Sequence, residues 1–94
     1  MRQDGSAPEH HIALSGEYDI ARKQELSAIF STIRNGDPVT VDMSQVTYVD
    51  STFLNELASM RLRCQERTVT LLGVQANVAR ILQIAKLDRF FLFR

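Results

Sequence analysis

The sequence predicts a single-sheet α/β domain, and three observations carry that prediction. The hydrophobic period alternates between two and about 3.6 along the chain, in the order strand, helix, strand, helix, strand, helix, strand. Ninety-four residues provide for one domain and no second. The composition is 45% hydrophobic and 23% charged. No apolar run approaches the roughly 18 residues of a bilayer crossing, so the chain reads as a soluble globular protein.

Residues 1–9 contain Gly5, Ser6 and Pro8 and no apolar stretch, which predicts a flexible tail rather than a signal peptide, ahead of one domain over 10–94. His11 to Ser15 alternates as a first strand and is expected to stop at Gly16. Asp19 can cap a helix whose apolar positions Leu26, Ile29, Phe30 and Ile33 recur at three and four residues, with Asn35-Gly36 and Asp37-Pro38 as its stop. Val39 to Met43 is short and β-branched, a buried strand, and Val46 to Val49 either extends it or covers one end.

Asp50-Ser51-Thr52 then offers capping chemistry ahead of Leu54, Leu57, Ala58 and Leu62, a helical stripe running to about Gln65. Thr68 to Leu72 is a third strand ended by Gly73. Val78, Ile81, Leu82 and Ala85 form one face of a third helix, and Phe90 to Phe93 a last strand. Such alternation implies right-handed crossovers in a mixed, mostly parallel sheet of four to five strands. The loops leaving the strands' C-terminal ends, Gly16 to Asp19, Ser44 to Phe53 and Gly73 to Asn77, should gather on one edge, where such folds bind ligands and partners.

Formal net charge is zero, which argues against a partner held by bulk charge, whether nucleic acid or anionic lipid. The zero conceals a split. Residues 1–60 hold nine acidic and four basic residues, net −5, and residues 61–94 hold seven basic and two acidic, net +5. Arg61, Arg63 and Arg67 cluster near a helix C-terminus, where cations are favoured by the helix dipole, and no aromatic residues interleave them as in a nucleic-acid surface. Cys64 is the single cysteine, so no intrachain disulfide forms and a cytoplasmic address fits best.

Candidates for catalysis are few. His10 and His11 are adjacent on a strand and point to opposite faces, Cys64 has no partner at metal-ligand spacing, and phosphate-loop, dinucleotide and nucleophile-elbow patterns are missing. The chain is expected to be a binding module and not an enzyme.

Val39-Thr40-Val41-Asp42-Met43-Ser44, followed by Val46-Thr47-Tyr48-Val49-Asp50-Ser51, resembles the central signature of the STAS domain of bacterial anti-sigma factor antagonists. Leu14 to Asp19 resembles that family's first strand and turn, and Leu72-Gly73-Val74 through Leu87-Asp88 its last third, so the resemblance spans residues 12 to 93. It implies a phosphoacceptor at Ser51, modified by an anti-sigma factor that is also a serine kinase and reset by a metal-dependent serine phosphatase. The unmodified form would bind the anti-sigma factor and free its sigma factor. Asp50 and Thr52 match the flanking positions, and Gly16, Glu17, Tyr18 and Asp19 the neighbouring turn of the partner-binding edge. The resemblance implies no cofactor, no bound metal and no membrane insertion.

One position departs from the pattern. Phe53 stands where the family usually has Gly, and a ring there either tucks against the sheet or projects as an anchor that excludes a kinase. A serine at a helix start is by itself most often a cap, and a phosphate on it adds about −1.5 to −2 charges to a site the helix N-terminus tolerates. STAS domains also serve as unmodified subunits of signalling scaffolds and of lipid-transporting membrane complexes, a second expectation that keeps the fold and drops the switch.

Overall fold

The computed structural model describes residues 9–34, 36–65 and 68–94. The expected tail, apart from Glu9, lies outside them, as do Asn35, Glu66 and Arg67. Strand β1 (His10–Tyr18) passes through a 3-10 turn (Ile20–Arg22) into helix α1 (Lys23–Phe30). Then follow β2 (Val39–Val49), α2 (Ser51–Arg63), β3 (Val69–Leu72), α3 (Ala76–Ile84), a 3-10 turn (Asp88–Phe90) and β4 (Leu92–Phe93). The strands lie in chain order and each pairs in parallel with the next, so the sheet expected to be mixed has four strands of one direction.

An unbroken order with right-handed crossovers carries the helices to one face of the sheet. Burial along β2 agrees: Val39, Val41, Met43, Val46 and Val49 are buried, while Thr40, Asp42 and Ser44 between them stay half-exposed. Leu26 and Phe30 of α1, Phe53, Leu57 and Met60 of α2, and Val78 and Leu82 of α3 join that apolar face in one core. Each side chain of this kind contributes roughly 1.5–3 kcal/mol by leaving water.

Several boundaries differ from expectation. Gly16 does not stop β1. It takes φ +84, and the register with β2 slips on both sides of it, a bulge that lets the strand run on to Tyr18. Val46–Val49 is part of one β2 strand, with the Ser44 N–H donating to Asp42 Oδ1 (2.9 Å) near the irregularity. Helix α1 ends at Phe30, before the expected glycine stop, because the Ser31 and Thr32 hydroxyls donate back to the carbonyls of Ala28 (2.8 Å) and Ile29 (2.9 Å). β4 is two residues long, since Phe90 N–H closes a turn on the Leu87 carbonyl (3.0 Å).

The buried stripe of α2 is also rotated from the expected one. Phe53, Leu57 and Met60 face the core with Cys64 at the C-cap, whereas Leu54 and Ala58 are half-buried and Leu62 is 67% exposed. Phe53 caused the misreading: counted as a core position, it starts a stripe at spacings of four, three and four.

Candidate functional site

Because the strands are parallel, the ends of β1, β2 and β3 emerge on one edge. Three hydrogen-bonded links bind it together. Asp50 N–H donates to the Tyr18 carbonyl (3.2 Å), joining the exit of β2 to that of β1. Gln75 Nε2 donates to the Ser44 carbonyl (2.9 Å) and Asn77 Nδ2 to the Thr47 carbonyl (2.8 Å), which fastens the loop after β3 to β2. Gly73, at φ +69, lies so close to Ser44 that an added Cβ would sit 2.9 Å from the serine Cβ.

The turn into α2 divides two roles that the sequence leaves together. Asp50 is the N-cap, its Oδ1 accepting from Thr52 N–H (2.9 Å) and Phe53 N–H (3.2 Å). Ser51 is the first helical residue, exposed, and among the described residues no hydrogen bond engages its hydroxyl. The serine is therefore released from capping. Thr52 is half-buried beside it. Asp19 repeats the arrangement on the neighbouring turn, its Oδ1 accepting from Ala21 N–H (3.0 Å).

Phe53 tucks in. It is 1% exposed, and its ring centroid lies 5.5 Å from that of Tyr18, itself 2% exposed. These two residues, expected on the partner-binding surface, support it from beneath and offer no area to a partner. The exposed members of the predicted set are Glu17, Asp19 and Ser51, with Gly16, Asp50 and Thr52 half-buried.

Arg22 escaped the sequence reading and organises the turn. Its guanidinium carbon stands 4.0 Å from the Tyr18 ring centroid, Nη1 donates to the carbonyls of Ser15 (2.7 Å) and Glu17 (3.2 Å), and Nη2 donates to the Tyr18 hydroxyl (3.2 Å). Glu25 holds the other side through a two-pronged contact of 3.2 and 2.7 Å, and the guanidinium's hydrogen bonds keep that carboxylate below its usual range. The i, i+3 spacing of Arg22 and Glu25 was the available signal. Ile20, 74% exposed, and Tyr48, 46% exposed, add apolar surface to the same edge. Tyr48 pairs in register with Glu17, and the neighbouring pair Tyr18 and Val49 turns inward. The edge thus combines two exposed apolar side chains with Glu17, Asp19 and Asp50; of the two cations that follow Ile20, Arg22 is matched by Glu25 and Lys23 is exposed.

The remaining candidates lie elsewhere. His10 Nε2 is 2.7 Å from Asp37 Oδ2, a contact between the start of β1 and the entry to β2, while His11 is exposed. Cys64 is buried, and burial pushes its thiol up, away from the reactive thiolate. Among the described residues no group of three His, Cys, Asp or Glu side chains could hold a metal ion, and no helix is long and apolar enough to cross a membrane.

Residues 1–93 match a family described as "Mlab, STAS domain". Among solved structures, the crystal structure of a sulfate transporter family protein from Wolinella succinogenes is similar in fold. It is 19% identical, the alignment covers 93% of this chain and 79% of that one, and the TM-score is 0.70. No curated protein matches the chain.

Proposed function

The chain belongs to the STAS domain family, and from that membership we propose that it is a partner-docking module, working as an anti-sigma factor antagonist switched by a phosphate on Ser51. The observation that carries this reading is the free serine: an exposed hydroxyl at the first position of α2, with the cap supplied by Asp50 instead. Buried Phe53 removes the steric objection raised by its place in the sequence, because the ring leaves the surface beside Ser51 clear.

The partner in this reading is an anti-sigma factor with serine kinase activity. Ser51 Oγ attacks the γ-phosphorus of ATP, loses its proton and releases ADP, and a metal-dependent phosphatase returns the serine by hydrolysis. The domain supplies a positioned hydroxyl and no catalysis of its own. Asp50 Oδ1 already occupies the N–H groups of Thr52 and Phe53, so an added phosphate finds a carboxylate where it would find donors. Its charge is turned outward, onto an edge that already carries Glu17 and Asp19, and repulsion and desolvation weaken docking while the fold stays intact. The complementary surface is basic, and the affinity falls with salt.

A second reading keeps the docking edge and drops the phosphate: a fixed subunit of a signalling scaffold or of a lipid-transporting membrane complex. The same fold occurs in a sulfate transporter family protein, a likeness that motivates this reading.

One experiment separates the two. The protein and its Ser51→Ala and Ser51→Glu variants are used as bait in the native cell, and captured proteins are identified and tested as kinases with ATP. The first reading expects an anti-sigma kinase that binds wild type and Ser51→Ala at least about tenfold more tightly than Ser51→Glu and adds one phosphate to Ser51. Equal binding of all three forms overturns the switch. Capture of membrane-complex subunits with no phosphate on Ser51 establishes the second reading.

A further inference from the structure

The acidic edge calls for a basic partner surface with an apolar hole, and the far end of the same chain carries one. Between the last turns of α2 and the 3-10 turn before β4 lies an open groove of ≈ 210 Å³, lined by Ala58, Arg61, Leu62, Leu87, Phe90 and Phe91. Apart from Arg61 the lining is apolar, and Leu62 and Phe90 are 67% and 49% exposed. Arg61 is fixed at the rim, its Nε donating to the Phe90 carbonyl (2.7 Å) and its Nη1 to the Cys64 carbonyl (3.2 Å). Lys86 and Arg89, both exposed, flank Leu87 and Phe90 in the chain, with half-buried Asp88 the one acid between them.

The ion pairs among the described residues are His10 with Asp37 and Arg22 with Glu25, so none of these three cations has a carboxylate partner there. The opposite end of the chain shows the converse pattern. Ile20 stands 74% exposed directly after Asp19, with Glu17 exposed on the strand before it. An exposed apolar side chain alone is ordinary. Here an aliphatic tip with two carboxylates on the strand side and exposed Lys23 on the helix side meets an apolar groove flanked by three cations and Asp88, a net complement of opposite charge.

We propose that the groove takes the Ile20 tip of a second copy of this chain, so that the protein associates head to tail. The tip sits at the edge where α2 begins, and the groove lies near its other end. Thirteen helical residues span about 20 Å. Two different patches at opposite ends make a heterologous contact, which builds an open chain or a ring rather than a two-fold dimer. Six lining residues form a contact well below the roughly 800 Å² per partner of a standard interface, so the association is weak and concentration-dependent. It requires neither a phosphate on Ser51 nor any particular partner of the proposed function. A partner docked on the acidic edge would block it.

Two exposed positions allow a complementation test. Ile20→Asp spoils the tip and leaves the groove, and Leu62→Asp spoils the groove and leaves the tip. Circular dichroism verifies that both fold. Sedimentation equilibrium in low salt, up to about millimolar protein where weak contacts are populated, should show the average mass of the wild type climbing past twice 10.7 kDa, without a plateau for an open chain and to a plateau of three or more copies for a ring. Raising salt to about 0.5 M should cut the association constant at least about tenfold. Each variant alone should stay monomeric, and their equimolar mixture should form a two-chain complex and nothing larger, because the mixture holds one intact tip and one intact groove per pair. A monomeric wild type across the range overturns the proposal and leaves the groove to an acidic amphipathic helix of another protein. A two-chain plateau insensitive to Ile20→Asp, or a mixture that stays monomeric, overturns it equally.

Discussion

Truncating Phe53 to alanine tests the packing that underlies the docking edge. The ring is 1% exposed, belongs to the core with Leu57 and Met60, and packs at a tilt of 49° against the Tyr18 ring. Removing a buried Phe costs about 3–5 kcal/mol through lost transfer energy and the cavity left behind. At about 0.05–0.15 kcal/mol per residue, a 94-residue domain holds about 5–14 kcal/mol in total. Phe53→Ala therefore removes about a fifth or more of the stability. With a shift of about 4–8 °C per kcal/mol in domains of this size, the melting temperature falls by at least about 12 °C. Urea denaturation followed by circular dichroism measures the loss directly, and an unchanged m-value confirms that the denatured reference is the same. Phe53→Leu, which keeps most of the apolar volume, should lose much less. A Phe53→Ala loss below about 1 kcal/mol would place the ring in solvent and refute the account of the site, because surface substitutions lie in that range.

Asp50→Ala removes the acceptor of two helix N–H groups and should cost about 1 kcal/mol, up to about 2, by urea denaturation, whereas Ser51→Ala should stay within about 0.5 kcal/mol because its hydroxyl caps nothing. Gly73→Ala combines φ +69 with a Cβ 2.9 Å from the Cβ of Ser44, and should destabilise by more than about 1 kcal/mol; Gly16→Ala shares the positive φ, at +84, but its Cβ meets only Arg22 Nη1 at the looser 3.3 Å, and should cost less. Asp37 is held below the ordinary carboxylate range, first by its hydrogen bond with His10, so its contribution is complete above an unfolded value near pH 3.9 and is lost as pH falls through the lower folded value. Asp37→Asn should accordingly flatten the acid limb of stability, measured by urea denaturation at pH 5 and pH 3.

The element order was legible because period, turn chemistry and capping agreed. Val39 to Met43 could only be a buried strand, and Val78 to Leu82 could only be one helical face. What escaped lies where two signals compete at one residue. Gly16 reads as a stop from local chemistry, yet a strand can absorb it as a bulge when the neighbouring strand supplies the ladder, and that ladder comes from residues 45–46, thirty positions away. Phe53 was ambiguous because its alternative faces differ only through Tyr18, whose inward direction depends on the same bulge. Arg22 was missed because its main acceptors are carbonyls of the preceding strand, which leave no trace in side-chain spacing. Gly16 to Asp19 and Asp50 to Phe53 lie at neighbouring strand ends, but sequence could not divide them into exposed Glu17, Asp19 and Ser51 and buried Tyr18 and Phe53.

That division bears on how a switch can be built on a helix start. If Ser51 itself capped α2, a phosphate there would be drawn onto the helix N–H groups and the dipole end, its charge partly neutralised by the helix it begins. Asp50 prevents this by engaging Thr52 and Phe53 with one oxygen, 2.9 and 3.2 Å away, and by placing a fixed negative charge against the incoming one. A phosphate on Ser51 would then gain little from the helix and project its charge at whatever approaches. The same arrangement predicts the behaviour of Asp50→Asn. The amide oxygen retains the cap while the repelling charge is removed, so stability changes little. A phosphate on Ser51 would settle nearer the helix, and the difference in partner affinity between modified and unmodified forms should shrink by at least about threefold, as measured by titration calorimetry. An undiminished difference would mean that repulsion with the partner alone sets the switch and that the carboxylate at Asp50 does no more than cap.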